Sequence, residues 1–204
     1  MTRRTFGHLS VLAAAVPWTI AMASERLFNG RDLKGWRKAG NGIWTVEDGA
    51  IVARFDRAKP GPGYLFTDGE YRDFDLRLQF WISKGGNSGV YVRQPWREFG
   101  TQGDDRPAHA AGDGVEVQID YNDPRNMTGA IYNLKQPTSI RGAEERWVEY
   151  RIVCTGPKVD VWIEGEQVTS YSGLESPRGT IGLQMHGQKP HDHVVKFRNI
   201  EIAS

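Results

Sequence analysis

From Ser24 onward no stretch long enough for a helix repeats its apolar residues at helical spacing, whereas apolar and polar residues alternate again and again. Phe74, Leu76, Leu78, Phe80 and Ile82 alternate with Asp75, Arg77, Gln79 and Trp81, the pattern of a strand with one dry and one polar face. Asp48-Gly49 separates 44–47 from 50–55, and Glu164-Gly165 separates 159–163 from 167–171; both pairs suit tight hairpins. Further strands are expected at 90–93, 115–121, 129–132, 147–154, 180–185 and 194–202. Many short strands without crossover helices imply antiparallel pairing. A two-sheet antiparallel sandwich of jelly-roll type buries such alternating faces best, so the predicted class is all-β. Two long loops are expected, at 57–63 and at 95–114, the second carrying Trp96, Phe99, His109 and several acids.

Charge narrows the partners. Lys and Arg number 26 against 25 Asp and Glu, so there is no net field to hold nucleic acid or an anionic membrane. The 24 glycines, seven Trp and seven Tyr suit short strands, tight turns and sugar-stacking surfaces, although buried Trp explains the aromatics equally well. Cys154 is the sole cysteine, so no intramolecular disulfide forms, and its strand setting points to burial rather than catalysis.

Residues 1–23 read as an address. Thr2-Arg3-Arg4-Thr5-Phe6 is a twin-arginine signature, 9–20 form a short apolar run broken by Pro17 and Trp18, and Ala21-Met22-Ala23 offers small residues for cleavage. The run is too short to span a bilayer, so cleavage after Ala23 and a periplasmic or secreted product are expected; a retained anchor is the rival reading. What remains, 24–204, suits one domain. Stable membrane insertion is not expected after cleavage, and nothing sets the oligomeric state.

Gly114-Val115-Glu116-Val117-Gln118-Ile119-Asp120 puts Glu116, Gln118 and Asp120 on one face and three apolar residues on the other. A half-exposed strand with a solvated face gives the same alternation. Against that account, Gln and acids are weak strand formers. Glu116 and Asp120 are about 13 Å apart along an extended strand, beyond the spacing for paired-carboxylate glycoside cleavage. His186 follows Gln184 at a strand end and titrates near neutrality, though a capped surface His fits too. His191, Asp192 and His193 form a weak metal pattern for which a solvated turn is the simpler reading. Asn87, Gly89, Tyr91 and Arg93 enter a strand through glycines, with Tyr91 and Arg93 expected on the face of Gly89. A tight turn and an Arg–carboxylate pair explain those residues equally well.

Six ordered stretches resemble the 3-keto-disaccharide hydrolase domain family: 27–36 (LFNGRDLKGW), 44–49 (WTVEDG), 86–90 (GNSGV), 114–119 (GVEVQI), 179–187 (GTIGLQMHG) and 197–200 (FRNI). The resemblance runs from about Leu27 to Ile202. It implies a concanavalin-like jelly-roll sandwich, exported by bacteria, acting on glycosides oxidised at C3. A C3 ketone acidifies the C2 proton, so one base and an enolate stabiliser suffice for elimination at C1 and C2, and hydration completes a net hydrolysis. By position, the resemblance implies His186 or Glu116 as proton-transfer group, Arg93 as enolate stabiliser, and Asn87, Tyr91, Gln118, Asp120 and Gln184 as substrate contacts. Some members of the family place a divalent ion in the cleft; Asp120, His186 or His191 could contribute, but no spacing demands one and neither metal nor other cofactor is assigned. The partner implied is a small glycoside or oligosaccharide. Two other functions stay open: a non-catalytic glycan-binding sandwich, and a conventional glycosidase with a second acid within about 10 Å of Glu116.

Overall fold

The computed structural model describes residues 24–96, 114–187 and 192–204. Among them are thirteen strands: β1 (Ser24–Arg26), β2 (Trp36–Gly40), β3 (Ile43–Glu47), β4 (Ala50–Arg54), β5 (Gly63–Thr67), β6 (Phe74–Ile82), β7 (Asn87–Gln94), β8 (Val115–Asp120), β9 (Val148–Thr155), β10 (Lys158–Ile163), β11 (Glu166–Ser172), β12 (Thr180–Met185) and β13 (Val194–Ala203). They form two antiparallel sheets. The larger runs β11-β10-β9-β6-β13-β4-β3, with β1 also paired to β13, and the smaller runs β2-β5-β12-β7-β8. The expected all-β two-sheet sandwich is therefore the observed architecture.

Local chemistry accounts for much of this. Asp48 and Gly49 have φ of 49° and 74°, and Glu164 and Gly165 have φ of 52° and 81°, the two positive values that a two-residue hairpin turn requires. In β6 buried and less buried residues alternate along the whole strand, as its sequence predicts. The apolar faces of the two sheets meet in one core that includes Leu76, Phe80, Val117, Ile119, Leu183 and Phe197. Tyr150 of β9 crosses that core and donates a 2.8 Å hydrogen bond to the carbonyl of Gln118, tying the large sheet to the back of β8.

Three strands escape the alternation rule. Strand β5 is buried along its whole length, so Tyr64, Leu65 and Phe66 follow one another without alternation. Strand β2 mixes weak strand formers, and β1 is three residues long. Conversely, the expected strand at 129–132 is not a regular ladder. Its backbone lies along β8, with Gln118 N–H donating to Ala130 O and Tyr132 N–H to Glu116 O. It is cut short because Gly129 has φ of 92° and the chain turns back at Ile131 onto Lys135.

Candidate carbohydrate site on the five-stranded sheet

The outer face of the smaller sheet can be built from its register. Tyr91 pairs with Gly182 on one side and Glu116 on the other, and Gly182 pairs with Phe66, so these residues form one row. Continuing the register sets Gln184 beside Gly89, which pairs with Gln118. One step further, Asn87 pairs with Asp120, and alternation brings His186 past the end of β12 onto this face. Asn87, Tyr91, Glu116, Gln118, Asp120 and Gln184 are thus brought together as expected, and His186 follows two residues after Gln184, just past the end of β12.

Burial decides between the two accounts of β8. Glu116, Gln118 and Asp120 are 5%, 1% and 6% exposed, so the polar row is not a solvated face. Buried carboxylates and amides are costly unless each finds partners. Tyr91 donates a 2.8 Å hydrogen bond to Glu116 Oε2 and accepts one of 2.9 Å from Gln184 Nε2. Burial, then the neighbouring Glu116 carboxyl, pushes the Tyr91 phenol well above its ordinary value, which keeps it a donor. Tyr91 therefore holds the acid and the amide rather than presenting its hydroxyl to a ligand. The Glu116 side chain leans across Gly89, where any Cβ would collide with its carboxyl. The amide oxygens of Gln118 and Gln184, on the strands either side of Gly89, are buried and accept no hydrogen bond among the described residues. The result is a glycine floor with one carboxyl leaning over it and two buried acceptors beside it.

Asp120 plays a different part. Its Oδ1 accepts the backbone N–H groups of Asn122 and Asp123, and its Oδ2 accepts Asn87 Nδ2 at 2.8 Å. Burial raises its pKa despite these bonds. It shapes the turn after β8 and orients Asn87. Among the described strand residues of this face it is the only other acid, and at about 13 Å along the strand from Glu116 it cannot complete a paired-carboxylate glycosidase.

Arg93 corrects an expectation. Strand β7 carries one extra residue between the Tyr91–Gly182 and Gln94–Thr180 pairs, and Arg93 takes up the bulge with φ of 51°. Its side chain is turned away from Tyr91 and buried. The guanidinium donates to the carbonyls of Arg72, Gly156 and Ser176 and to the Asp73 carboxylate at 2.8 Å. Four of its five N–H donors join the loops before β6, after β9 and before β12. The same bulge turns Gln94 onto the outer face, which alternation in the sequence does not signal.

For a divalent ion the residues fit poorly. Asp120 already accepts three hydrogen bonds, His193 is 2% exposed, and His109 and His191 lie outside the described residues. No three His, Cys, Asp or Glu side chains gather in a metal-holding group among the described residues, and no step below passes through a metal. Cys154 is buried, and its thiol is pushed up to about 12 by that burial, so it is no nucleophile. An open depression of about 560 Å³ lies on the outer face of the larger sheet. Its Arg151 is already paired with Asp75 and stacked on Trp162, so its polar groups serve the sheet itself.

Comparison with known proteins agrees with this fold. The chain is 24% identical over 228 residues to a 3-keto-disaccharide hydrolase of Bacteroides thetaiotaomicron, a match covering 86% of this chain and 76% of that one. Two Parabacteroides distasonis structures described as candidate glycosyl hydrolases share the fold. One has a TM-score of 0.69 at 22% identity, covering 88% of this chain and 93% of its own. The other has 0.67 at 27%, covering 89% and 99%. The carbohydrate-binding module CBM66 of Bacillus subtilis is similar in fold alone, with a TM-score of 0.58 at 16% identity over 83% of this chain and 96% of its own. The family model for the 3-keto-alpha-glucoside-1,2-lyase-like domain matches residues 23–203, and the chain belongs to that carbohydrate-active family.

Proposed function

We propose that this protein is an exported enzyme that cleaves 3-keto-glycosides by elimination across C1 and C2, followed by hydration. The observation that carries the reading is the buried carboxyl of Glu116, held by Tyr91 above the glycine floor between two amide oxygens awaiting donors, while the other buried acid, Asp120, is engaged by the turn after β8. One fixed base is what the chemistry needs, and two glutamine acceptors are what sugar hydroxyls bind. Family membership and the Bacteroides relative support the same substrate class. The twin-arginine signature near the N-terminus supports export.

In this reading Glu116 takes the C2 proton of a ring seated over Gly89, and the electrons pass toward the C3 oxygen. His186 lies one strand over and two residues along from Gly89, about 8 Å across the sheet, so its imidazole faces the C3 end of that ring. It takes the enolate-stabilising part that Arg93 cannot play. As the C1–O bond breaks, the proton on Glu116 passes to the departing oxygen, leaving an unsaturated 3-keto sugar. Water then adds across C1=C2 to give the free 3-keto sugar. Asn87, Gln118 and Gln184 hold hydroxyls.

The test is aglycone release from a 3-keto-glucoside and from its unoxidised parent, with and without chelator, for the wild type, Glu116→Gln and His186→Ala. Release from the keto substrate alone, abolished in Glu116→Gln and strongly reduced in His186→Ala, supports the reading. Release from neither substrate, with sugar binding intact, identifies a glycan-binding module instead. Loss of release with chelator would add a metal to the chemistry.

A further inference from the structure

Gln94 is a buried amide that the elimination does not use. It is fully buried at the end of β7, and neither its Oε1 nor its Nε2 makes a hydrogen bond among the described residues. An amide in that state is expensive, and native structures rarely keep one without use for it. Its position comes from the Arg93 bulge. The extra residue lets Gln94 pair with Thr180, two residues from Gly182 on the same face of β12. Without the bulge, Gln94 would face the core. The buried Arg93 guanidinium fixes that offset from below, through Arg72, Gly156, Ser176 and Asp73.

Distance then separates Gln94 from the first ring. From the Gly89 row to the Gln94 row is about four residue steps, or about 13 Å, with the Tyr91–Glu116 row between them. One hexose ring centred over Gly89 cannot touch both. The two ends differ in character as well. Past Gln184 toward His186 the face is polar apart from Tyr64, whereas the row next to Gln94 carries the rings of Phe66 and Tyr91, with half-buried Trp96 edge-on to Phe66 at 6.0 Å. Rings flanking a donor–acceptor amide suit a second sugar, whose apolar patches and hydroxyls need both.

We infer that Gln94 is a specificity-determining ligand contact that hydrogen-bonds hydroxyls of the ring attached at C1, so that the site selects 3-keto-disaccharides over glycosides of small alcohols. The inference rests on the elimination reading for the direction of the leaving group, which departs from C1 toward Gln94 while C3 faces His186. A site built to bond a hydroxyl rejects ligands that lack it, because its buried amide is then left unpaired.

The experiment compares wild type with Gln94→Met, a straight-chain replacement of similar volume, and with Gln94→Leu in case the first does not fold. Steady-state kinetics are measured on a 3-keto-glucosyl disaccharide and on methyl 3-keto-glucoside, with thermal unfolding of each variant free of sugar. The expected result is a KM about tenfold or more higher on the disaccharide, no change on the methyl glycoside, and a free variant at least as stable as the wild type. Equal effects on both substrates, or none on either, overturn the inference and leave the elimination reading standing. If wild type turns over neither substrate, that reading falls, and calorimetric titration with the disaccharide decides here. Binding that weakens in Gln94→Met retains Gln94 as a sugar contact; equal binding, or none, removes it.

Discussion

Replacing Arg93 by Met separates its two roles, because an enolate stabiliser and a buried anchor fail in different ways. The side chain is 2% exposed and serves three backbone carbonyls besides Asp73, which is itself 51% exposed and can rehydrate. Methionine removes the charge but leaves three carbonyls short of a donor, at about 1 to 3 kcal/mol each before the loops relax. A total of about 3 to 5 kcal/mol follows, comparable to breaking a buried ion pair. For a domain of this size that lowers Tm by roughly 6 to 20 °C. It remains within the usual stability of a domain, so the variant folds at low temperature. Arg93→Lys should recover less than half of the loss, since an ammonium cannot fork toward several separate acceptors. Thermal and urea unfolding give the stability, and kcat is measured well below the lowered Tm. Near-normal kcat in a strongly destabilised variant is the expected outcome. A variant with wild-type Tm whose turnover has collapsed would refute the assignment and return Arg93 to the reacting sugar.

Two further perturbations test neighbouring claims. Gly89→Ala places a methyl group where the Glu116 carboxyl lies, displacing it from Tyr91; turnover should fall more than tenfold while stability falls by about 1 to 3 kcal/mol. Unchanged turnover would mean that the carboxyl can act from another position. On the far sheet, the Arg54 guanidinium and the Thr45 hydroxyl hold the Glu47 carboxyl down at about 2, from an ordinary value of 4.5. A depressed carboxyl stabilises the fold above its unfolded pKa and loses that contribution as pH falls through the folded one, so Glu47→Gln should flatten the stability profile between about pH 4.5 and 2. Urea midpoints that run parallel for the two proteins across that range would count against the pair.

The sequence alone determined the fold class, because alternation, turn glycines and the lack of helical spacing are local properties that survive without partners. It also placed the hairpins at Asp48-Gly49 and Glu164-Gly165, where two successive positive φ values are needed. It brought Glu116, Gln118 and Asp120 to one face, since period two is a rule of the strand itself. Whether that face is wet or dry was not legible, because burial depends on what packs over a strand. Nor was the division of labour within the row. Asp120 is drawn off by the turn at Asn122 and Asp123, and Tyr91 is enlisted by two neighbours from other strands. The largest departure is at Arg93. Counting by twos along β7 puts it beside Tyr91, but one inserted residue, visible only when β7 is laid against β12, turns it into the interior and brings Gln94 out in its place. A bulge is a mismatch between two strands, and a sequence read one strand at a time does not contain it.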